Sequence, residues 1–161
     1  GTARPRALAF VLGCTLSSAL LQLTIPQLNV QQLQDFLRTD FPQSSVVVES
    51  ISERGACVRQ TINTSHLRPG GTVSGPVLMA VADIAMYVAL LAEIGIVPLA
   101  VTTNLSIHFL RKPSADKDIL AHCQLLKIGK NLAVGEVTLY SDGCEDAVAH
   151  VVATYAIPPR A

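Results

Sequence analysis

A chain of 161 residues, half of them apolar, has the length of one ordinary domain and enough apolar side chain for a large core. Its formal net charge is zero, it has no Trp and only 4% aromatic residues, which excludes nucleic acid as the main partner: there is neither a basic surface for phosphates nor a platform for stacked bases. The charged share is 15%, low enough to predict that part of the surface is covered by other copies of the chain.

Residues 1–28 place Arg4 and Arg6 before an apolar run, ALAFVLGCTLSSALLQLTI, in the basic-then-apolar order of a signal peptide. No clear small-x-small cleavage site follows, and Ser17, Ser18 and Gln22 interrupt the run, which makes it a poor membrane span. The expectation is an extension outside the core fold, then a single domain over residues 29–161. Asn29–Phe41 predicts an amphipathic helix, with Asn29 as cap, Val30, Leu33, Phe36 and Leu37 at helical spacing, and Pro42 as its stop. Ser45–Glu53 and Ala56–Asn63 predict two strands joined at Arg54-Gly55, and a loop from Thr64 to Gly75 follows.

The run from Pro76 to Ile94 predicts a helix of roughly 19 residues, about 28 Å long. Pro76 suits the first helical position, Gly95 suits the stop, and Pro98 lies beyond it. The helix is apolar on nearly every face, so it is buried or spans a membrane. Asp83, near its middle, makes a span costly by about 2.5–3.5 kcal/mol, and the flanking strands need a helix to cover them. Four further strands are predicted. Leu99–Leu110 alternates, with Val101, Thr103, Leu105, Ile107 and Phe109 on one face and Thr102, Asn104, Ser106 and His108 on the other. Ile119–Ile128, Leu132–Tyr140 and Ala147–Ile157 follow, with turns at 129–131 and 141–143 that imply antiparallel hairpins. The fold class is therefore α+β, one long central helix wrapped by a six-stranded antiparallel sheet.

Cys14, Cys57, Cys123 and Cys144 form no C-x-x-C pair, and His66, His108, His122 and His150 are scattered, so no metal site is expected. Cys57 and Cys123 read as buried thiols, consistent with a reducing, cytoplasmic compartment.

A carboxylate inside an apolar helix needs a partner or a purpose. The structural reading of Asp83 is an acid satisfied by a hydroxyl or amide across a packing interface. The functional reading draws on the glycine-rich turn that feeds the helix, because free N–H groups at a helix start can hold a developing anion. Tyr87, one turn after Asp83, either hydrogen-bonds it or an attacking water, or packs with its hydroxyl wet. Ser74 is a poor candidate for a serine-hydrolase nucleophile, because Thr72 stands where the G-x-S-x-G elbow needs its first Gly.

Residues 69–76, PGGTVSGP, then six residues and Asp83, together with Phe109-Leu110-Arg111-Lys112-Pro113, resemble the hot-dog fold acyl-CoA thioesterases of the phenylacetate-pathway type. That family commonly has His-Gly-Gly, six residues and Asp at the first place and Phe-Leu-Arg-Pro at the second. The resemblance covers roughly residues 46–157. It implies that Asp83 is general base or nucleophile, that the Gly75 N–H polarises the thioester carbonyl, and that the site forms across a homodimer or a dimer of dimers. It implies no cofactor, and its substrate would be an acyl-CoA. Ser74 replaces the family's His and remains a hydrogen-bond donor, Pro76 replaces its second Gly, and Arg68 replaces an Asn. Arg68 and Tyr87 would border the substrate, and Arg111, Lys112 and Lys130 would meet coenzyme A phosphates unless they are simply solvated. Two other readings stand beside hydrolysis. One is a non-catalytic acyl-CoA binder, motivated by the departures at 74 and 68. The other is a dehydratase or hydratase, which needs a His beside the acid and finds only His66 near the helix.

Overall fold

The computed structural model describes residues 25–159, so most of the N-terminal extension lies outside the described residues. Its last residues do join the fold: the N–H groups of Gln27 and Leu28 donate to the Ala92 carbonyl at 2.7 and 3.3 Å. Helix α1 (Val30–Asp40) starts at Asn29 with a reciprocal cap. The Asn29 side chain accepts the Gln32 N–H, and the Gln32 side chain accepts the Asn29 N–H, both at 2.9 Å. Leu33, Phe36 and Leu37 are buried, as their spacing predicts.

Strands β1 (Val47–Ser52) and β2 (Gly55–Gln60) form the first hairpin. Arg54 turns it with φ +52°, and its N–H is held at 2.7 Å by Glu93 from the far end of the long helix. The stretch expected to be plain loop contains a 3-10 turn, Thr64–His66, and a miniature hairpin of β3 (Leu67–Arg68) and β4 (Thr72–Val73). Gly70 and Gly71 turn that hairpin at φ +102° and +78°, a region costly for any other residue.

Helix α2 (Gly75–Ile94) begins one residue earlier than expected, so Pro76 is its second residue. β5 (Val101–Phe109), β6 (Ile119–Ile128), β7 (Leu132–Ser141) and β8 (Ala149–Ala156) complete one six-stranded antiparallel sheet in the order β1-β2-β6-β7-β8-β5. α2 lies along the inner face of the sheet, chiefly on β6, β2 and β7. By length and composition it could cross a membrane, with mean hydropathy 2.1, yet 67% of its most apolar 18-residue window is buried inside this wrap. Its uncovered stripe is Pro76, Met79, Ala80 and half-buried Asp83, which follow one another at i, i+3, i+4 and i+7.

The sheet register shifts at three places, between Val48 and Ser50, between Leu125 and Lys127, and on the edge strand β5. The β5–β8 register shifts between Thr102 and Asn104, which is a bulge. Leu105 and Ile107 pack toward the core as expected, but the extra residue turns Thr102, rather than Thr103, inward beside Tyr155.

Gly135 on β7 lets the helix approach the sheet, since a Cβ there would stand 2.5 Å from the Met86 Sδ. Gly135→Ala should therefore cost about 1–3 kcal/mol by overpacking. In urea unfolding, the Gly135→Ala/Met86→Ala double variant should lose less than the sum of its singles, because each change relieves the defect of the other.

Candidate functional site

Asp83 is seated between α2 and the two last strands of the sheet. Its Oδ1 accepts a hydrogen bond from Thr102 Oγ1 and another from the Tyr155 hydroxyl at 2.7 Å. The same Tyr155 hydroxyl lies 3.1 Å from the Asp83 main-chain carbonyl, so its one proton is shared between two acceptors of the same residue. Burial first, and then the charge of Asp83, push the Tyr155 phenol far above its usual range, which keeps it a proton donor. Both hydroxyls converge on Oδ1. Among the described residues Oδ2 takes no donor, and no buried side-chain oxygen is left unpaired. Oδ2 is therefore the oxygen open to a ligand.

Tyr87 does not serve Asp83. Its hydroxyl donates to the Pro98 carbonyl at 2.9 Å, and the residue is 7% exposed, so it is neither a water holder nor wet. Its ring stacks on Tyr155 with centroids 6.1 Å apart and planes at 25°, and so backs the tyrosine that does reach the acid.

At the start of α2, Ser74 is the cap residue, but its side chain makes no capping hydrogen bond. Its own N–H donates to the His66 carbonyl at 2.9 Å. The N–H groups of Gly75 and Val77 consequently have no acceptor within the helix, at the positive end of its dipole. Gly75 lies under the Phe109 ring, whose Cζ would be 3.1 Å from a Cβ placed there. Gly75, Arg68, Phe109, Arg111 and Lys112 line a cavity of about 460 Å³. Arg111 Nη1 donates to the Ala147 carbonyl at 2.8 Å, which holds that side chain against the sheet end.

Two of the expected groupings do not form within one chain. Gly75 and Asp83 are eight residues apart on one helix, about 12 Å along its axis, too far to act on one carbonyl. Lys130 sits with Asn131, Pro158 and Pro159, at the sheet end where Leu132, Ala156 and Val101 meet. Arg111 and Lys112 follow Phe109 at the other end, roughly 25 Å of strand away.

The sequence reading missed Tyr155, Thr102 and Gln60. Gln60 is 6% exposed, and its Nε2 donates to Ser45 Oγ at 2.9 Å and to the Thr61 carbonyl at 3.0 Å. It shares with His66, Val77 and Asp83 the wall of a second cavity, of about 330 Å³. His66 Nδ1 accepts the Asn63 N–H at 3.0 Å, so the neutral ring carries its proton on Nε2. On the outer face of the sheet, Cys57 Sγ lies 3.8 Å from His122 Nε2. Burial raises that thiol's pKa, the opposite of what an activated nucleophile needs.

Residues 70–148 match the family model described as the thioesterase superfamily. A structure from Silicibacter sp. TM1040, assigned as a thioesterase, is 40% identical, with TM-score 0.78 over 84% of this chain and 96% of that one. Zebrafish thioesterase superfamily member 2 shares the fold at 22% identity and TM-score 0.74, over 82% of this chain and all of that one. The Escherichia coli PaaI protein of the phenylacetic acid degradation operon does so at 19% and 0.68, over 82% and 97%. No curated protein matches the sequence. The chain belongs to the thioesterase superfamily, a thioester hydrolase on the hot-dog fold it shares with PaaI.

Proposed function

We propose that the protein hydrolyses acyl-CoA thioesters at a site shared between two copies of the chain, with Asp83 from one and the Gly75 N–H from the other. The observation that carries this reading is the position of the two groups relative to β5. Gly75, Arg111 and Lys112 lie at its Phe109 end, and Asp83 with Thr102 at its Val101 end. Among the described residues β5 is an edge strand with one side unpaired, and Val101 and Phe109 on it are 56% and 54% exposed. If two β5 strands pair antiparallel about a two-fold axis, the Phe109 end of one meets the Val101 end of the other. That arrangement sets the Gly75 N–H of one copy opposite the Asp83 carboxylate of its partner. It also gathers Arg111, Lys112 and the partner's Lys130 at one mouth, suited to coenzyme A phosphates. The uncovered Pro76, Met79 and Ala80 stripe of α2 would face the same seam.

In the shared site the thioester carbonyl accepts the Gly75 N–H, which stabilises the negative charge that develops on its oxygen. Asp83 Oδ2 removes a proton from water as its oxygen adds to the carbonyl carbon, and the proton then passes to the departing sulfur, so that coenzyme A leaves as the thiol. In direct attack Oδ2 forms a mixed anhydride, coenzyme A leaves as the thiolate, and water hydrolyses the anhydride to the free acid. Tyr155 and Thr102 hold the carboxylate by its other oxygen.

The test is release of free thiol from a panel of acyl-CoAs of different chain length and polarity. Saturable turnover on at least one of them is expected. Tight binding across the panel with no thiol released would replace hydrolysis by acyl-CoA binding, the reading that the Ser74 and Arg68 departures favour.

A further inference from the structure

Asp83 borders two cavities, and Phe41 lines both of them. The first, of about 330 Å³, brings the polar side chains of Gln60, His66, Ser44 and Ser45 together with apolar Val46, Val77, Val81 and Ile84. The second, of about 200 Å³, is walled by the rings of Phe36, Tyr87 and Tyr155. Phe41 is the residue that ends α1: its N–H donates to the Leu37 carbonyl at 2.9 Å, and its carbonyl accepts the Ser44 N–H at 3.2 Å. Its ring leans on Tyr87, with centroids 6.4 Å apart and planes at 52°. The two cavities share Phe41, Asp83 and Ile84 in their linings, so Phe41, fixed by the backbone of a helix-to-strand connection, stands between them.

The carboxylate indicates which chamber carries the chemistry. Thr102 and Tyr155, which hold Oδ1, both line the aromatic chamber. Oδ2 is therefore turned toward the polar one, and a thioester attacked by Oδ2, or by water bound to it, has its acyl carbon there. We propose that Phe41 is the specificity-determining residue for acyl length. Its ring confines the acyl group to the polar chamber, so the protein takes short acyl thioesters, and the aromatic chamber behind the ring stays closed to the chain. This inference rests on the reading of Asp83 as the site of thioester binding. The sizes agree with it: ligand pockets run about 300–1,000 Å³, so the polar chamber alone is at the small end and the two joined would accept a longer chain.

The experiment measures equilibrium binding of non-hydrolysable acyl-CoA thioethers of increasing chain length to the full chain and to two variants, Phe41→Ala and Phe41→Trp. In the parent protein, affinity should rise with length and then stop. In Phe41→Ala it should continue to rise past that limit by up to about fourfold per added methylene, the factor for burying one CH₂. In Phe41→Trp the limit should come at a shorter chain. Should Phe41→Ala fail to fold, Phe41→Leu, which keeps apolar volume at the α1 terminus, should move the limit in the same direction by a smaller step. The same length limit in the parent and in every folded variant would overturn the proposal. Because binding is read and not turnover, a protein that releases no thiol from any acyl-CoA would end the catalytic reading and leave this test intact.

Discussion

Asp83→Asn should lower thioester hydrolysis by about 10²–10⁴-fold, the usual loss when a general base is removed. The expected result is specific because of how the acid is held. An Asn at this position still presents an oxygen to Tyr155 and Thr102, so the two hydroxyls that meet Asp83 Oδ1 keep an acceptor. The fold and the binding of acyl-CoA should change little. What is lost is the basic, nucleophilic oxygen on the open side. If the carboxylate is only structural, the opposite pattern appears: a lower melting temperature, with activity falling only in step with the folded fraction. Turnover per folded molecule separates the two cases, and a folded Asp83→Asn protein that works at the parent rate removes Asp83 from the mechanism.

The second large effect concerns a group that no ordinary side-chain change can delete. Gly75→Pro removes the backbone N–H, while its fixed φ still suits the start of a helix. Gly75→Ala is the control, since it brings the same Cβ against Phe109 and keeps the N–H. Relative to that control, Gly75→Pro should lose a further 10²–10³-fold in kcat, the usual cost of one oxyanion donor. The two variants also test whether the site is shared. Each pure variant is nearly inactive, but a mixed dimer of Asp83→Asn with Gly75→Pro has one site with both native groups and one site with neither. After unfolding and refolding an equimolar mixture, half of the dimers are mixed, and activity should return to about a quarter of the parent level for an isologous pair. No recovery in dimers shown to be mixed would place Gly75 and Asp83 in separate functions.

Much of the fold was legible in the sequence because strong local signals agree with tertiary need. Asn29 and Gln32 form the cap that their spacing implies, and the run between Ser74 and Gly95 is apolar enough to dictate a central helix. The turns at 129–131 and 141–143 join antiparallel neighbours as predicted. The site was only partly legible. Asp83 and Gly75 stand out as a buried charge and as a helix start after glycines. Helix spacing left Tyr87 either as a partner of Asp83 or as a packing residue with a wet hydroxyl, and its hydroxyl instead meets the Pro98 carbonyl. Tyr155 was within reach of the same reasoning: it shares the inner face of β8 with Val151 and Ala153, and a phenol among apolar neighbours must find an acceptor. Thr102 was not, because only a bulge puts it on that face, and bulges leave no reliable mark on alternation. Nor does the sequence say that Phe41, reached through α1, would stand beside an acid more than forty positions later.

The bulge gives the edge strand two phases. From Asn104 onward, counting by twos from Leu105 leads to core positions, and before it the same count would lead to Thr103, which faces away from Asp83. The hydroxyl that helps to hold the acid is therefore set by the bulge as much as by the residue that carries it. Removing one residue between Thr102 and Leu105, and the bulge with it, would leave a regular strand in which Thr102 stands two residues from Leu105 and still faces inward. Straightening the strand at its present length is what would turn the threonine outward. In this short segment length and bulge are coupled, so a one-residue deletion that removes the bulge should keep the hold on Asp83, whereas a substitution that straightens the strand at its present length should lose it.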